Sequence, residues 1–413
     1  MQRDDMHFDD LETRDPAVRE REQFAALPGL IAHAKAQTPF FAKVLADVDA
    51  DAVTSREALA TLPVTRKNDL KTVQAEHPPF GGLVAHDRQI GRIFQSPGPI
   101  HEPQGVNANF WRAARALYAA GFRKGDLVHN TFSYHFTPGG WILDNGARAL
   151  GCTVFPAGTG QTEQQAQAIA AMRSNAYTGT PSFLRIILEK ADELGIDTST
   201  LTKGVVSGEY LPPALRTLFQ ERGIAILQAY ATADLGVIAY ETPSLEGMIV
   251  DEGVIVEIVR PGTGNPVPEG EVGEVLVTAF TPEYPLIRFA TGDMSAVLPG
   301  TSPCGRTNMR IKGWMGRADQ TTKVKGMFVH PEQIAAVAKR HPEITRARLV
   351  VSSVDNVDQM VLKIETATRE PGFLDTVRQT LQDVVKLKGH VEPAEPGTLP
   401  NDGKVIDDVR VYE

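Results

Sequence analysis

Between residues 126 and 234 short apolar runs alternate with helical segments, and this alternation constrains the fold more than any other feature of the chain. Residues 126–131, 152–155, 175–178, 205–206 and 224–230 read as buried strands. Helical spacing fills the gaps, for example over 183–194 and after Pro212-Pro213, where a proline near a helix start leaves no extra amide unpaired. Strands alternating with helices argue for a parallel sheet covered by helices. Several strands end in small or polar residues: Thr178-Gly179-Thr180, Ser207-Gly208-Glu209, and Thr232-Ala233-Asp234.

At 413 residues the chain has room for two or three domains and a large core. Residues 1–20 are charged and are expected to be frayed or to form a loose first helix. Helical spacing follows over 22–45 and is interrupted at Pro39, where a second short helix starts. Thr65 is expected to cap the next helix, and 107–117 reads as a helix with Phe110, Ala113 and Leu117 inward. Residues 254–259 and 273–278 alternate on either side of a Pro/Gly-rich turn and read as a hairpin. Beyond Arg317 the texture changes. A short helix follows His330, strands span 347–352 and 361–366, and an amphipathic helix spans 373–387.

Composition narrows the classes. Lys plus Arg is 42 and Asp plus Glu is 51, a net charge of -9 spread along the chain, which argues against a nucleic-acid partner. No apolar run reaches the roughly 18 residues of a membrane span, so no membrane association is expected. The polar, acidic start does not read as a signal peptide. Two cysteines, Cys152 and Cys304, point to a reducing compartment and hence to the cytoplasm.

The densest chemistry lies at 285–326. An apolar run from Pro285 enters Thr291-Gly292-Asp293, and Gly316-Arg317-Ala318-Asp319 follows. A glycine there lets backbone approach a ligand closely; a fixed carboxylate can accept from a sugar diol, and a guanidinium can reach hydroxyls or a phosphate. An aromatic turn, Phe132-Ser133-Tyr134-His135-Phe136, leads into Gly139-Gly140 at a helix start. It reads as core packing or as a pocket for a flat organic acid.

These pieces, in this order, resemble the phenylacetate-CoA ligase family of adenylate-forming enzymes, and the resemblance runs over nearly the whole chain. It implies an α/β fold: a large N-terminal domain, 1–316, with parallel-rich sheets and a hairpin-rich subdomain, then a small mobile α+β domain, 317–413, hinged at Asp319. It implies that Asp293 holds the ribose of ATP, with Arg317 beside it. Gly208-Glu209 matches a motif near the adenine. Tyr230-Ala231-Thr232-Ala233-Asp234 matches one whose tyrosine stacks on adenine and whose acid binds Mg²⁺. Tyr134, His135, Phe136 and Gly139 fall where the acyl pocket is lined. Lys404, in Gly403-Lys404, matches the catalytic lysine that meets the carboxylate and the α-phosphate.

One stretch departs from the pattern. Where the family carries a Ser/Thr/Gly-rich phosphate loop ending in Gly-Lys-Pro, this chain reads Ser96-Pro97-Gly98-Pro99-Ile100-His101-Glu102-Pro103. Ser96 and Gly98 remain, two prolines remove amide donors, and Glu102 replaces the lysine. Taken alone it reads as a Pro-rich turn, and Glu102 is expected to point away from the phosphates. Either the phosphates are held elsewhere, with Lys67, Arg92 and Lys323 as candidate cations, or ATP is not the true substrate. Family members often carry a zinc site nearby, but Ser302 replaces its first cysteine and no Cys or His lies between Tyr230 and Cys304, so no zinc is expected.

The function implied is activation of a carboxylic, typically aromatic, acid by ATP and Mg²⁺ through an acyl-adenylate, then transfer to CoA. Two alternatives stay open: transfer to a non-CoA acceptor, and a nucleotide- or acyl-CoA-binding homologue without ligase activity. The expected partners are the acid, ATP and CoA; a homodimer is also admissible.

Overall fold

The computed structural model describes residues 6–410 apart from 97–98, 319–321, 325–326, 355–356, 369, 371 and 401–403. Gly98 and Asp319 therefore lie outside the described residues, as does the side chain of Lys323. The chain divides into two compact units. One comprises 1–257, 276–291 and 297–314; the other comprises 258–275, 292–296 and 315–413.

The larger unit is built on a nine-stranded sheet. Its strands Thr153–Pro156, Leu127–Asn130, Ala176–Gly179, Lys203–Val206 and Ala225–Thr232 lie side by side, all parallel. The alternation of strand and helix dictates this, because each helix carries the chain back to begin the next parallel strand. At Ala225–Thr232 the direction changes: Gly236–Glu241 returns antiparallel after a tight connection, and Met248–Val250 continues the antiparallel edge. Phe110, Ala113, Leu117, Phe122, Val128, Ile142 and Val205 share one apolar core. Among the described residues no helix is long and apolar enough to cross a membrane.

Several local expectations are corrected. Residues from Phe8 onward are not frayed: Glu12 is 1% exposed, meets Arg306 at 3.1 Å and accepts from the Tyr240 hydroxyl at 2.8 Å. The first long helix is Pro16–Gln37, capped by Asp15, and Pro39–Val44 follows it. Thr65 does not cap a helix; Thr65–Arg66 pairs parallel with Phe289–Ala290, and the helix Lys67–Glu76 starts after Arg66. The helix expected over 107–117 is Ala113–Ala119, because Arg112 sits left-handed at φ 60. Phe110, Ala113 and Leu117 are buried as read. The stretch read as a Pro-rich turn is a hairpin, Ile90–Ser96 against Ile100–Gly105.

In the smaller unit a four-stranded sheet runs His390–Ala394, Val357–Glu365, Arg346–Val354, Ile406–Asp408. The central pair is antiparallel and both outer strands are parallel to their neighbours. The helices Pro331–Arg340 and Phe373–Val385 put Ile334, Val337, Val377 and Leu381 into one core with Leu349, Leu362 and Ile364.

Candidate active site

In an open parallel sheet the carboxyl ends of the strands form the natural ligand crevice, most of all where strand direction or order changes. In the larger unit those ends carry Thr131-Phe132, Thr180, Ser207-Gly208 and Asp234. Gly208 has φ 82, and a side chain added there would meet the Phe132 ring at 3.5 Å and Thr180 at 3.7 Å. The aromatic turn and the Gly208-Glu209 turn thus face each other.

Each side chain here is held by a specific partner. Glu209 accepts from the Ser182 amide at 3.0 Å and its hydroxyl at 2.5 Å, placing an anion at the N-terminus of the helix Pro181–Leu194. The Gln228 amide donates to the Glu209 carbonyl at 3.1 Å. Tyr230 is buried, and its hydroxyl donates to Thr291 Oγ1 at 3.1 Å. Ala231 follows it on the same strand. A cavity of about 350 Å³ touches this strand at Gln228, lined also by Tyr210, Leu211, Glu241 and Trp314.

The residues read as acyl pocket divide. Tyr134 is half-buried; Asn130 donates to its hydroxyl at 2.7 Å, and that hydroxyl reaches Asp144 at 3.1 Å. Burial, then the Asp144 charge, pushes the Tyr134 phenol up. Its ring meets Trp141 edge-on at 5.3 Å, and the Arg92 guanidinium lies 4.2 Å over the Trp141 ring. His135 and Phe136 are exposed, Phe136 at 77%, so both face solvent. Gly139 has room for a side chain, whereas a Cβ on Gly140 would lie 2.8 Å from the Ser133 carbonyl. Gly140 is therefore the glycine the turn requires.

The hairpin at 90–105 holds the main surprise. Phe94, Ser96, Ile100 and Glu102 point inward at a period of two, so Glu102 is 0% exposed. Gln74 fixes the hairpin to the helix Lys67–Glu76, exchanging hydrogen bonds with the His101 backbone at 2.9 and 2.8 Å. The Ser96 amide donates to Glu102 Oε2 at 3.1 Å, and the Ser96 hydroxyl donates to Oε1. Lys67 Nζ meets Asp234 Oδ2 at 2.5 Å. Burial, then the Asp234 charge, pushes Glu102 up to about 8. The Tyr284 phenol is raised by burial, then by Asp234 and Glu102. Asp234 Oδ1 and the Tyr284 hydroxyl are both buried without a hydrogen-bond partner.

In the smaller unit Asp293 and Arg317 form an antiparallel bridge, and Arg317 Nη1 donates to Asp293 Oδ1 at 3.0 Å. Gly292, at φ 75, is needed here: a Cβ would stand 2.6 Å from Arg317 Nη2. Lys404 is exposed and meets Asp407 at 2.8 Å.

The sequence reading missed Ser182 and Gln228, which meet Glu209 from other elements of the chain. It also missed the hairpin at 90–105, which it took as a Pro-rich turn.

An α/β architecture with polar residues at parallel strand ends offers a ligand crevice, and residues 107–279 match the family model for AMP-binding enzymes. The chain is 31% identical to the phenylacetate-coenzyme A ligase of Thermus thermophilus, over 93% of this chain and 89% of that one. It is 30% identical to the phenylacetate-coenzyme A ligase of Escherichia coli, over 98% and 97%. A solved 2-hydroxyisobutyryl-CoA ligase, in an open conformation with 2-HIB-AMP and CoA, matches at a TM-score of 0.72 and 25% identity, covering 94% of this chain and 91% of that one. The chain belongs to the phenylacetate-coenzyme A ligase family of adenylate-forming enzymes.

Proposed function

We propose that this protein is an AMP-forming acid–CoA ligase that activates an aromatic carboxylic acid as its acyl-adenylate and passes the acyl group to the CoA thiol. Near-full-length kinship with phenylacetate-coenzyme A ligases carries this reading. The solved relative that holds both an acyl-AMP and CoA favours CoA as acceptor.

The site residues divide the work. Tyr230, Ala231, Gly208 and Glu209 border the adenine, and the neighbouring cavity, about 350 Å³, has the size of a small-ligand pocket. Asp293 accepts from the ribose hydroxyls and Arg317 holds its carboxylate in place. Tyr134 and Gly139 border the acid, while the exposed His135 and Phe136 stand at its rim. Asp234, with an unpartnered buried oxygen, suits a hard cation; bound there, Mg²⁺ would neutralise phosphate charge.

Lys404 meets the two anions that adenylation brings together. Its pair with Asp407 is partly exposed, and an exposed pair contributes about 0–1 kcal/mol. The division at 316/317, with a hinge at Asp319 and motion of the small domain between half-reactions, belongs to the same proposal. So does a cytoplasmic setting, in which Cys152 and Cys304 stay free.

The test measures pyrophosphate release from ATP and Mg²⁺ with a panel of aromatic and short hydroxy acids, then acyl-CoA on adding CoA. Release that depends on an aromatic acid is expected. Lys404→Ala should cut adenylation by roughly two to three decades, while a supplied acyl-adenylate still reacts with CoA. Silence across the whole panel would overturn the ligase reading, and equal loss in both half-reactions would remove Lys404 from its role.

A further inference from the structure

Tyr134 is held from two sides, and the hold uses up its hydroxyl. Asn130, buried at the end of the strand Leu127–Asn130, donates from Nδ2 to the Tyr134 oxygen at 2.7 Å and to the Gly140 carbonyl at 2.9 Å. Its Oδ1 accepts from the Phe132 amide at 3.2 Å, so one side chain ties the aromatic turn together. The Tyr134 hydroxyl donates in turn to Asp144 Oδ2 at 3.1 Å, and Asp144 is buried. Gly140 and Asp144 lie one turn apart on the helix Gly139–Ala149, hence on one face. A Cβ on Gly140 would lie 2.9 Å from Tyr134 Cδ2, so the ring runs over the bare turn at Gly140 and its hydroxyl meets Asp144 beyond it. Trp141 packs edge-on against that ring at 5.3 Å, and its Nε1 donates to the Tyr134 carbonyl at 3.3 Å. A phenol and an indole each have one proton to give. Here both are given within the protein, so what these two side chains can offer a ligand is their rings.

We propose that Asn130 and Asp144 are positioning residues that hold the Tyr134 hydroxyl out of use, so that the acid site takes an acid with an apolar ring and discriminates against a ring that carries a hydrogen-bond acceptor. The proposal rests on the ligase reading and on the place of Tyr134 beside the acid within it. A ring acceptor brought against this wall gives up its water and finds no free donor on Tyr134 or Trp141. An acceptor buried without a partner costs more than the hydrogen bond it would have made is worth. Discrimination of this kind follows from the polar partners a site offers or withholds, and shape alone discriminates weakly. Asn130 and Asp144 need not touch the acid; both act through Tyr134. A network that only held the turn would affect stability when broken. One that sets the chemistry of the wall changes which rings are accepted, because removing Asp144 returns a proton donor to the site.

The test compares phenylacetic acid with the 2-, 3- and 4-pyridylacetic acids, which share its shape and place one acceptor nitrogen around the ring. Binding to the full chain with AMP present is read by calorimetry, at a pH where the ring nitrogen is neutral. Acid-dependent pyrophosphate release is read beside it. Wild type should bind phenylacetic acid at least about fivefold more tightly than any of the isomers. Asp144→Ala frees the hydroxyl and should narrow that gap by at least about threefold for one isomer or more. Asp144→Asn keeps an acceptor for the hydroxyl and should hold the wild-type gap. Asp144→Ala combined with Tyr134→Phe has no hydroxyl to free and should return to that gap. Should the alanine variant not fold, Asp144→Leu, closer in volume, takes its place. A wild-type preference below about fivefold, or a narrowing below about threefold, would overturn the proposal. So would a narrowing that persists in the double variant. The ligase reading fails separately. An unmoved preference among acids that bind and turn over sinks the positioning role alone. A preference that moves as expected, with no pyrophosphate released by any variant, sinks the ligase reading and leaves the acid site standing. Binding of none of these acids would overturn both.

Discussion

Arg288 and Lys67 each meet a buried carboxylate in the larger unit, yet only the first group is closed. Arg288 gives Nε and Nη2 to the two oxygens of Glu257 at 3.0 Å each, and Nη1 to the carbonyls of Ala60 and Leu62 at 2.9 and 2.6 Å. Both carboxylate oxygens and all the guanidinium nitrogens have partners, and one positive charge answers one negative. Lys67 faces Asp234 with Glu102 close by, and an Asp234 oxygen stays open. A buried pair with every atom answered ties strands together and has no capacity for a ligand. The Lys67–Asp234 pair keeps one carboxylate oxygen open, and burial with the Asp234 charge pushes the Glu102 acid up to about 8. Arg288 is therefore read as structural although it stands five residues before Asp293, whereas the pair at Lys67 is left open at one oxygen.

The largest effect that bears on this contrast is expected at Arg288. Arg288→Met strips Glu257 of its cation while leaving it buried, which costs about 3–5 kcal/mol. Denaturant unfolding measures it, and a loss under about 1 kcal/mol would mean the closed pair is not what holds those strands.

A smaller and pH-dependent effect is expected at Glu102. Its acid is raised from 4.5 to about 8 in the folded chain. The folded state holds that proton more tightly, so the associated stability is full below the ordinary value and is lost as pH rises through about 8. Glu102→Gln carries no such titration. Its stability relative to wild type should rise between about pH 5 and pH 9, by no more than a few kcal/mol. Unfolding curves at both ends of that window decide it: a flat difference would mean that folding does not hold the Glu102 proton.

The smallest effect is expected in the smaller unit, where the imbalance runs the other way. The Arg410 guanidinium beside Asp408, with the Thr322 hydroxyl, holds Asp408 down at about 2. That contribution is present above the ordinary value of 3.8 and lost as pH falls through about 2. The group is partly exposed, so Asp408→Asn should cost less than about 1 kcal/mol at neutral pH and almost nothing in strong acid. A larger loss at neutral pH would show that exposure does not screen this pair.

Much of this was legible in the residues themselves. The strand–helix alternation over 126–234 led to a parallel sheet, and Gly208, Glu209, Tyr230 and Asp234 were named through the family resemblance. The strands and helices after His330 were read close to where they lie. These are local signals: a period of two or of 3.6, a turn glycine, a proline at a helix start. Thr65 misled because its local pattern is that of a cap, while its place was decided by pairing with Phe289, more than two hundred residues away.

By itself, then, the sequence determined the kind of fold, the strand ends that carry polar chemistry and the family to which the chain belongs. Tertiary structure alone decided what Glu102 is. Its inward direction follows from the register of a hairpin, its charge problem from Asp234, and its nearest cation from Lys67, which meets Asp234 across 167 positions of sequence. Periodicity records which face of its own element a residue occupies. It cannot record which distant charges will share that face once water is excluded, and in a low-dielectric interior those neighbours set the state of a carboxylate.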